Sequence, residues 1–358
     1  MSSGVEPLGP GYRVSPSGKI GYLDGWRGIA IVLVLLDHFL PLPGLDSGRL
    51  GVDVFFALSG LLMSRILFVQ RIPLPLFYKR RISRILPVFM LYVLTVYAIA
   101  FYRDQSFDLV EFLSALAFLR TYIPASPDIW HTALPIGHLW SLNVEEHCYL
   151  LMGVLAAFLI IRGREWAVLM ALGISAIIVH AIYLKNPSLG IVLSEIRTET
   201  AASHLLLSAG YFLVRDRFSR YVRPWMPVAA FAGAILCNSV ALPWWASFLV
   251  SPFLLAFAVN HLAETPRLVR TGLEFTPLRM FGIWPYSIYL WQQPFYTYKS
   301  SLPVGIAFLL AITLGVLSFY FFENPVRSWL NRTWHWGKLP AGRTGRSAQR
   351  RFHCRIGA

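Results

Sequence analysis

The segment YLDGWRGIAIVLVLLDHF, Tyr22–Phe39, places Arg27 near one end of an apolar run and His38 near the other. In a helix these two side chains would lie about 16 Å apart along the axis. A guanidinium suits the binding of phosphate, and an imidazole suits proton transfer near neutral pH. Structural explanations stay open, in which Arg27 extends to the lipid headgroups and His38 is a satisfied polar residue at the outer boundary.

An acidic candidate follows in GVDVFFALSG, residues 51–60, where Asp53 stands among Phe and Leu. A carboxylate in such apolar surroundings needs a partner. A purely structural interpretation is also open, in which Gly51, Ser59 and Gly60 allow close helix packing and Asp53 forms a structural pair.

A basic candidate is FYKRRISRILP, residues 77–87, which carries Lys79, Arg80, Arg81 and Arg84. We predict that this segment is a cytoplasmic loop. Such a cluster is either a determinant of membrane orientation or a site for a ligand with several phosphates, held by charge-assisted hydrogen bonds.

The fourth candidate segment is HLWSLNVEEHCYLL, residues 138–151. Ser141 and Glu145 are four positions apart and share a face if the segment is helical. A Glu at this place can orient a histidine or accept a hydrogen bond from a sugar hydroxyl. A capped helix start would explain one acidic residue, but it does not explain two of them beside Trp140 and Tyr149.

The four segments are embedded in a chain with the composition of a membrane protein. Of 358 residues, 56% are hydrophobic and only 14% are charged. Apolar runs of the length that crosses about 30 Å of hydrocarbon recur along the chain. We therefore predict an all-α, polytopic integral membrane protein with about ten transmembrane helices. The predicted spans are 24–41, 51–70, 83–103, 140–162, 166–184, 201–214, 225–241, 246–262, 280–298 and 303–322.

A further apolar run, 109–123, is short and contains Glu111 and Arg120, which would be costly at the bilayer centre. We predict that it is an outer interfacial or re-entrant helix. With ten spans and a cytoplasmic N-terminus, most of the 32 Lys and Arg residues lie on the inner side, as the positive-inside rule requires. Both termini are therefore predicted to be cytoplasmic.

The chain is predicted to have three parts: a disordered cytoplasmic N-terminus (1–20), a membrane domain (21–327) and a basic cytoplasmic tail (328–358). No cleaved signal peptide is expected. The net charge of +14 is attributed to topology and to contact with anionic membrane lipids, and no nucleic-acid partner is expected. The three cysteines are widely spaced, so neither a disulfide nor a metal site is expected.

Taken in order, the four segments resemble the acyltransferase 3 family of bacterial membrane proteins. The most specific element is an Arg or Lys followed, after ten residues, by His, as at Arg27 and His38. The family's Trp-Ser-Leu-x-x-Glu pattern is similar to residues 140–145. The other similar segments are GVDVFFALSG, RRISRILP, WPYSIYLWQQPF and FFENPVR, and the resemblance covers about residues 20–327.

The resemblance implies that an O-acyl group passes from cytoplasmic acyl-coenzyme A to a carbohydrate, glycolipid or other acceptor at the outer face of the bacterial inner membrane. Acetyl is the commonest acyl group that the family implies. Many members have His where this chain has Gln292 or Gln293, so a role for a second histidine in that helix is in question. The chain is expected to be the form of the family without a hydrolase-like domain.

An acyl-coenzyme A donor carries phosphates and needs cations on the inner side. We predict Arg27, Arg81 and Arg84 as its phosphate ligands. The residues predicted to contact the acceptor are Trp140, Ser141 and Tyr149.

His38 is predicted to be the general base that removes the proton of the acceptor hydroxyl as its oxygen attacks the thioester carbonyl. Glu145 or Asp53 is predicted to orient the imidazole and stabilise its charged form. Asp37 is poorly placed for this, because adjacent helical residues point about 100° apart.

Three alternatives stay open at this stage. A transporter or channel would use His38, Asp53 and Glu145 as a proton relay. A membrane component without chemistry would leave these buried charges unexplained. An enzyme that forms a covalent acyl intermediate would use Ser59 or Ser141, for which the sequence assigns no base.

Overall fold

The structure, a computed structural model, describes residues 21–124, 129, 134–158 and 162–334. Within these ranges the chain is helical and has no β-strand, apart from an isolated antiparallel bridge between Leu45 and Ser239. The predicted all-α class is thus confirmed for the described residues. The predicted N-terminal part, 1–20, and residues 335–358 of the predicted tail lie outside them, and the division into three parts stays a prediction.

Sixteen α-helices occur in the described ranges. They are α1 (Gly21–Phe39), α2 (Ser47–Ser64, continued by a π-helical turn, Arg65–Val69), α3 (Leu74–Tyr102), α4 (Leu109–Leu116), α5 (Trp140–Ala157), α6 (Glu165–Lys185), α7 (Thr198–Ala201), α8 (Ser203–Phe212), α9 (Trp225–Cys237), α10 (Ala246–Leu249), α11 (Ser251–Asn260), α12 (Arg267–Leu273), α13 (Thr276–Ile283), α14 (Pro285–Thr297), α15 (Val304–Ser318, continued by a π-helical turn, Phe319–Glu323) and α16 (Asn324–Thr333). Short 3-10 turns are Gly137–Leu139, Pro187–Leu189, Ser194–Ile196, Arg215–Arg217, Ser219–Tyr221, Leu262–Glu264 and Lys299–Ser301.

Four helical segments of the described chain are long and apolar enough to cross a bilayer: Ser47–Val69, Leu74–Tyr102, Glu165–Lys185 and Val304–Thr333. They support the membrane class predicted from composition. Helices α9 and α11 are apolar but shorter, and at 1.5 Å per residue neither reaches the roughly 30 Å of a hydrocarbon core. The number of ten spans and the cytoplasmic side of both termini stay predictions.

Three predicted spans are each divided into two helices. The predicted span 246–262 is divided between α10 and α11, 280–298 between α13 and α14, and 201–214 between α7 and α8. In the first two cases a proline, Pro252 or Pro285, stands in the first turn of the second helix. Proline has no N–H to continue a preceding helix, and it is tolerated at a helix start.

The basic segment 77–87 was predicted as a cytoplasmic loop; it is not a loop, and its cytoplasmic side stays a prediction. These residues belong to α3, which begins at Leu74, directly after Pro73. Lys and Arg are good helix formers, so the charges do not interrupt a helix whose apolar part follows. The basic side chains are therefore held at fixed angular positions on one helix.

Helix α4 covers only part of the run 109–123. Its eight residues rise about 12 Å, and Asp108 caps its start by accepting a hydrogen bond from the Val110 N–H (2.9 Å). Glu111 pairs with the fully buried Arg120 at 2.6 Å. This helix is much too short to cross a bilayer, in agreement with an interfacial or re-entrant position.

Glycines allow the helices around the site to approach closely. A Cβ added to Gly25 of α1 would lie 1.8 Å from the Leu273 carbonyl oxygen, and one added to Gly60 of α2 would lie 2.0 Å from the Leu205 carbonyl oxygen. Any larger residue would collide with the neighbouring backbone. The packing of α1 on α12 and of α2 on α8 thus fixes the two helices that carry His38 and Asp53.

Candidate active site

A cavity of about 620 Å³ lies among α1, α2, α3, α5, α14 and α16. Its volume is in the range of small-molecule sites. Apolar side chains of α2 and α3 form much of the wall, and the carboxylate in the lining is that of Glu145. Six lining side chains are cationic: Arg27, Lys79, Arg80, Arg81, Arg84 and Arg327. The cavity is therefore suited to a ligand with an anionic part and an apolar part.

Helices α3 and α16 bring most of these cations together. Arg81 and Arg84 are three positions apart on α3 and share a face. The Lys79 Nζ donates a hydrogen bond to the Asn331 carbonyl oxygen (3.1 Å), and the Ser83 hydroxyl donates to the Asn331 side-chain oxygen (3.3 Å). These bonds place the start of α3 beside α16, which carries Arg327.

The three predicted phosphate ligands line the cavity but differ in their partners. Arg27 is paired with Asp24 at 2.8 Å. Arg81 lies 3.6 Å from Glu145 and 4.0 Å from Glu146, and its guanidinium carbon is 3.5 Å from the ring centroid of Tyr149. In contrast, Arg84 is not in an ion pair with any described residue. Arg84 is therefore the predicted ligand whose charge is most available to an anion.

Glu145 belongs to a hydrogen-bonded group inside the cavity. The Ser59 hydroxyl donates to the Glu145 Oε1 at 2.6 Å, and the Tyr149 hydroxyl donates to the same oxygen. The Tyr149 and Ser59 hydroxyls are 3.1 Å apart. Together with Arg81, these contacts hold the carboxylate in place; none of them involves His38.

Two further hydroxyls of the lining, those of Ser141 and Tyr289, meet at the backbone of His138. Ser141 Oγ and the Tyr289 hydroxyl are 2.6 Å apart. The His138 carbonyl oxygen accepts hydrogen bonds from the Tyr289 hydroxyl (2.8 Å) and the Ser141 hydroxyl (3.3 Å). This group connects α14 to the turn that precedes α5, and it forms part of the cavity wall.

His38 lies outside the cavity lining and has a partner that was not predicted. Its Nδ1 is 2.6 Å from the side-chain oxygen of Gln292, and its ring stacks on Tyr296 with centroids 4.1 Å apart. The Gln292 amide nitrogen faces the Gln293 oxygen (3.5 Å), so the Gln292 oxygen accepts from His38. An N–H on Nδ1 leaves Nε2 as the proton acceptor of the neutral ring.

In this structure neither Glu145 nor Asp53 contacts His38, and an amide from α14 occupies the Nδ1 position; an orienting role for either carboxylate stays a prediction. Asp53 is fully buried and lies 3.3 Å from Arg49 Nε and 3.4 Å from His204 Nδ1. The first contact lies within α2, and the second connects α2 to α8. Asp37 contacts the Ser47 hydroxyl at 3.5 Å.

The predicted acceptor residues are only partly together. Ser141 lines the cavity, whereas Trp140 packs edge-on against Phe56 and lies beneath the Arg49 guanidinium, 5.7 Å from its carbon. Tyr149 reaches the site through its hydroxyl on Glu145. Whether these three residues bind an acceptor stays a prediction.

Several site residues were not singled out from the sequence. They are His138, Tyr289 and Arg327, whereas Gln292 was named only as the place of a histidine in other family members. The sequence does contain a signal for some of these residues, because they lie in segments that resemble the family. Tyr289 and Gln292 lie in WPYSIYLWQQPF, and Arg327 ends FFENPVR. Their contacts with α1, α3 and α5 could not be read from the chain. Within the described ranges no three His, Cys, Asp or Glu side chains are grouped as a metal site would require.

Comparison with known proteins gives a consistent result. The family model described as an acyltransferase domain matches residues 20–323. The O-acetyltransferase OatA of Staphylococcus aureus is 26% identical over 347 residues, covering 85% of this chain and 57% of the relative. The peptidoglycan O-acetyltransferase OatA of Listeria monocytogenes is 28% identical, covering 85% and 55%. The putative membrane-bound transacylase BcsY of Komagataeibacter xylinus is 27% identical, covering 88% and 85%.

The chain thus spans a little over half the length of the OatA relatives. No solved structure matches it. The family model covers most of the chain, including the Arg27 to His38 spacing and the Trp-Ser-Leu-x-x-Glu pattern on which the resemblance was based. The family predicted from the sequence is therefore confirmed: this chain belongs to the acyltransferase 3 family.

Proposed function

We propose that this chain is a multi-pass O-acyltransferase of the bacterial inner membrane. It transfers an acyl group, in the first instance acetyl, from cytoplasmic acyl-coenzyme A to a hydroxyl of a carbohydrate or glycolipid at the outer face. The observation that carries this proposal is the cavity, which combines six cations with an apolar wall and has Ser141 and Tyr289 in its lining. The names of the OatA relatives support acetyl as the group and a cell-wall glycan as one acceptor class.

The cationic part of the cavity suits the phosphates of the donor. Arg84 and Lys79 are available for charge-assisted hydrogen bonds, and Arg327 and Arg27 keep part of their charge on carboxylates. The apolar wall of α2 and α3 suits the pantetheine arm. The thioester is then directed toward the Ser141 and Tyr289 hydroxyls.

His38 supplies the proton acceptor for the attacking hydroxyl. With its Nδ1 N–H held by Gln292, the ring accepts the proton at Nε2 as the hydroxyl oxygen bonds to the thioester carbon. The carbon–sulfur bond breaks, and the proton neutralises the departing thiolate. Because His38 is not in the lining of the donor cavity, the proposal requires the acceptor hydroxyl to reach the thioester from the side of His38.

A proton relay through His38, Asp53 and Glu145 receives no support from the contacts. The three side chains belong to three hydrogen-bonding groups with different partners. In the described part of the chain these three residues therefore form no connected path for protons. We do not propose a transporter or channel.

Inside-out membrane vesicles test the proposal, since they expose the cytoplasmic face to added donor. We expect radiolabelled acetyl-coenzyme A, which does not cross membranes, to give base-labile label in the lumenal carbohydrate fraction. Right-side-out vesicles should give it only after permeabilisation. Equal labelling of vesicles with and without the protein would contradict the proposal.

A further inference from the structure

A second imidazole, that of His138, belongs to a residue whose backbone carbonyl holds two hydroxyls of the cavity lining. His138 is only 5% exposed, and neither nitrogen of its ring has a hydrogen-bond partner among the described residues. A buried polar group without a hydrogen-bond partner destabilises the folded protein. A buried ring with two such nitrogens is therefore expected to serve a ligand.

The surroundings of His138 include two residues of the cavity wall. Its carbonyl oxygen holds the Ser141 and Tyr289 hydroxyls of the lining. Its ring lies 5.1 Å from the ring of Tyr289 and 5.4 Å, edge to face, from that of Tyr92. The imidazole thus lies against Tyr289, a residue of the cavity wall.

The turn that carries His138 is fixed in position. A Cβ added to Gly137 would lie 2.4 Å from the Ile129 carbonyl oxygen and 4.0 Å from the Gln293 amide nitrogen. The turn therefore packs closely against α14, next to the glutamine pair that holds His38. A rigid position of this kind is required of a group that stabilises a transition state.

We propose that His138 is a catalytic residue that donates a hydrogen bond to the thioester carbonyl oxygen. This inference rests on the proposed function. The acceptor oxygen forms a bond to the carbonyl carbon, the carbonyl electron pair moves to oxygen, and the His138 N–H stabilises that negative charge. When the carbonyl re-forms, the carbon–sulfur bond breaks, and the proton taken up by His38 neutralises the thiolate. His138 itself gains and loses no proton.

The test is a pair of substitutions at one position. His138→Phe keeps an aromatic ring between Tyr92 and Tyr289 but removes the N–H donor. We expect it to lower kcat by about 10²- to 10³-fold, with the donor KM and the amount of folded protein near wild type. His138→Gln keeps an N–H donor and is expected to turn over at least about ten times faster than the Phe variant. Label transfer from acetyl-coenzyme A in inside-out vesicles is the measurement.

A matched control is His180→Phe, because His180 is also buried and also contacts an aromatic ring, that of Phe248 at 4.5 Å. This variant should keep the wild-type rate per folded molecule. An active wild type with His138→Phe within about threefold of it would overturn the role of His138 alone. Equal losses in the Phe and Gln variants, or losses explained by poor folding, would also overturn it. A wild type without transfer would overturn the proposed function, and this inference with it.

Discussion

The contacts of His38 fix its ring through Nδ1, so Nε2 is the nitrogen that can act as the base. Its Nδ1 is hydrogen-bonded to Gln292 and its face is covered by Tyr296. We expect His38→Ala to lower turnover by roughly two to four orders of magnitude, with membrane abundance and donor KM close to wild type, because the lost interaction forms in the transition state. Transfer per folded molecule, normalised with a fluorescent fusion, is the measurement.

His38→Gln makes this prediction stricter. The amide keeps hydrogen-bonding capacity but takes up no proton near pH 7. Turnover above about a tenth of wild type would be incompatible with a general base. In that case proton transfer would have to be assigned to another group of the site, with Glu145 the next candidate.

Gln292 is expected to act as a positioning residue for His38. Replacing it by Leu removes the oxygen that fixes the ring, and losses of about 10- to 100-fold in turnover are typical for partners that orient a functional histidine. Gln292→Glu keeps an acceptor oxygen and should recover most of the rate. If the Leu and Glu variants were equally impaired with an unchanged donor KM, the hydrogen bond to His38 would not be the reason for the loss.

The sequence predicted which residues belong to the site better than it predicted which residues contact each other. Arg27, Arg84, Ser141 and Glu145 were predicted as site residues and do line one cavity. The partner of His38 was not predicted, since Gln292 is 254 positions away and a hydropathy pattern carries no information on which helices touch. A carboxylate was expected because carboxylates orient histidines in familiar enzymes, whereas here an amide performs that contact.

At the scale of elements, the first turns of α3 carry the proposed phosphate ligands. A charge-assisted contact is worth about 1.5 to 3 kcal/mol, so Arg84→Ala should raise the donor KM roughly 10- to 100-fold with a smaller effect on kcat. Arg27→Ala should have the smaller effect on KM, because Arg27 shares its charge with Asp24. Initial rates at varied acetyl-coenzyme A concentration give both constants. A donor KM unchanged in both variants would remove α3 and α1 from the donor site.

The second prediction at the scale of elements concerns the close packing of helix α2 on helix α8. A Cβ at Gly60 would lie 2.0 Å from the Leu205 carbonyl oxygen, and a backbone atom cannot move aside as a flexible side chain can. We expect Gly60→Val to destabilise the protein by about 1–3 kcal/mol or more, seen as a lower melting temperature in detergent. Gly305→Ala is the control, because nothing lies within 4 Å of its Cβ position; an equal loss in both variants would contradict the packing explanation.

The positions of helices were easier to predict than their ends. Apolar runs identified the places of α1, α2, α6 and α15, because a bilayer demands continuous apolar sequence. The start of α3 was missed, since hydropathy detects only the apolar part of a helix and not its charged first turns. The division at Trp284 could have been read from Pro285, a residue that starts helices and ends those before it.

At the scale of the whole molecule, the apolar surface matches a bilayer. Large apolar side chains are strongly exposed, among them Phe101 (75%), Leu309 (63%) and Phe321 (78%). Only 22% of the apolar window of Val304–Thr333 is buried inside the protein. Such a surface would drive aggregation in water, but in lipid it is solvated. The cations of the cavity face inward instead, where they are available to a ligand.

The predicted orientation of the molecule rests on the positions of its basic residues. If 109–123 stays on the outer side, most Lys and Arg residues are cytoplasmic, as the positive-inside rule requires. The eight-residue length of α4 supports this arrangement, because about 12 Å of helix cannot cross about 30 Å of hydrocarbon. The cationic part of the cavity would then face the cytoplasm, where the proposed donor, acyl-coenzyme A, is made.

Reporter fusions test this orientation directly. We expect a fusion after Arg223 to be cytoplasmic and an insertion near Asp128, which lies outside the described residues, to be external. A fusion after Arg71 is the control, because it precedes 109–123 and is cytoplasmic whether or not that segment crosses. An external reporter after Arg223 together with a cytoplasmic one after Arg71 would mean that 109–123 crosses the membrane. The cations of α3 would keep their side, since they also precede 109–123, but Arg327 of α16 would move to the other side and the proposed donor site would be divided.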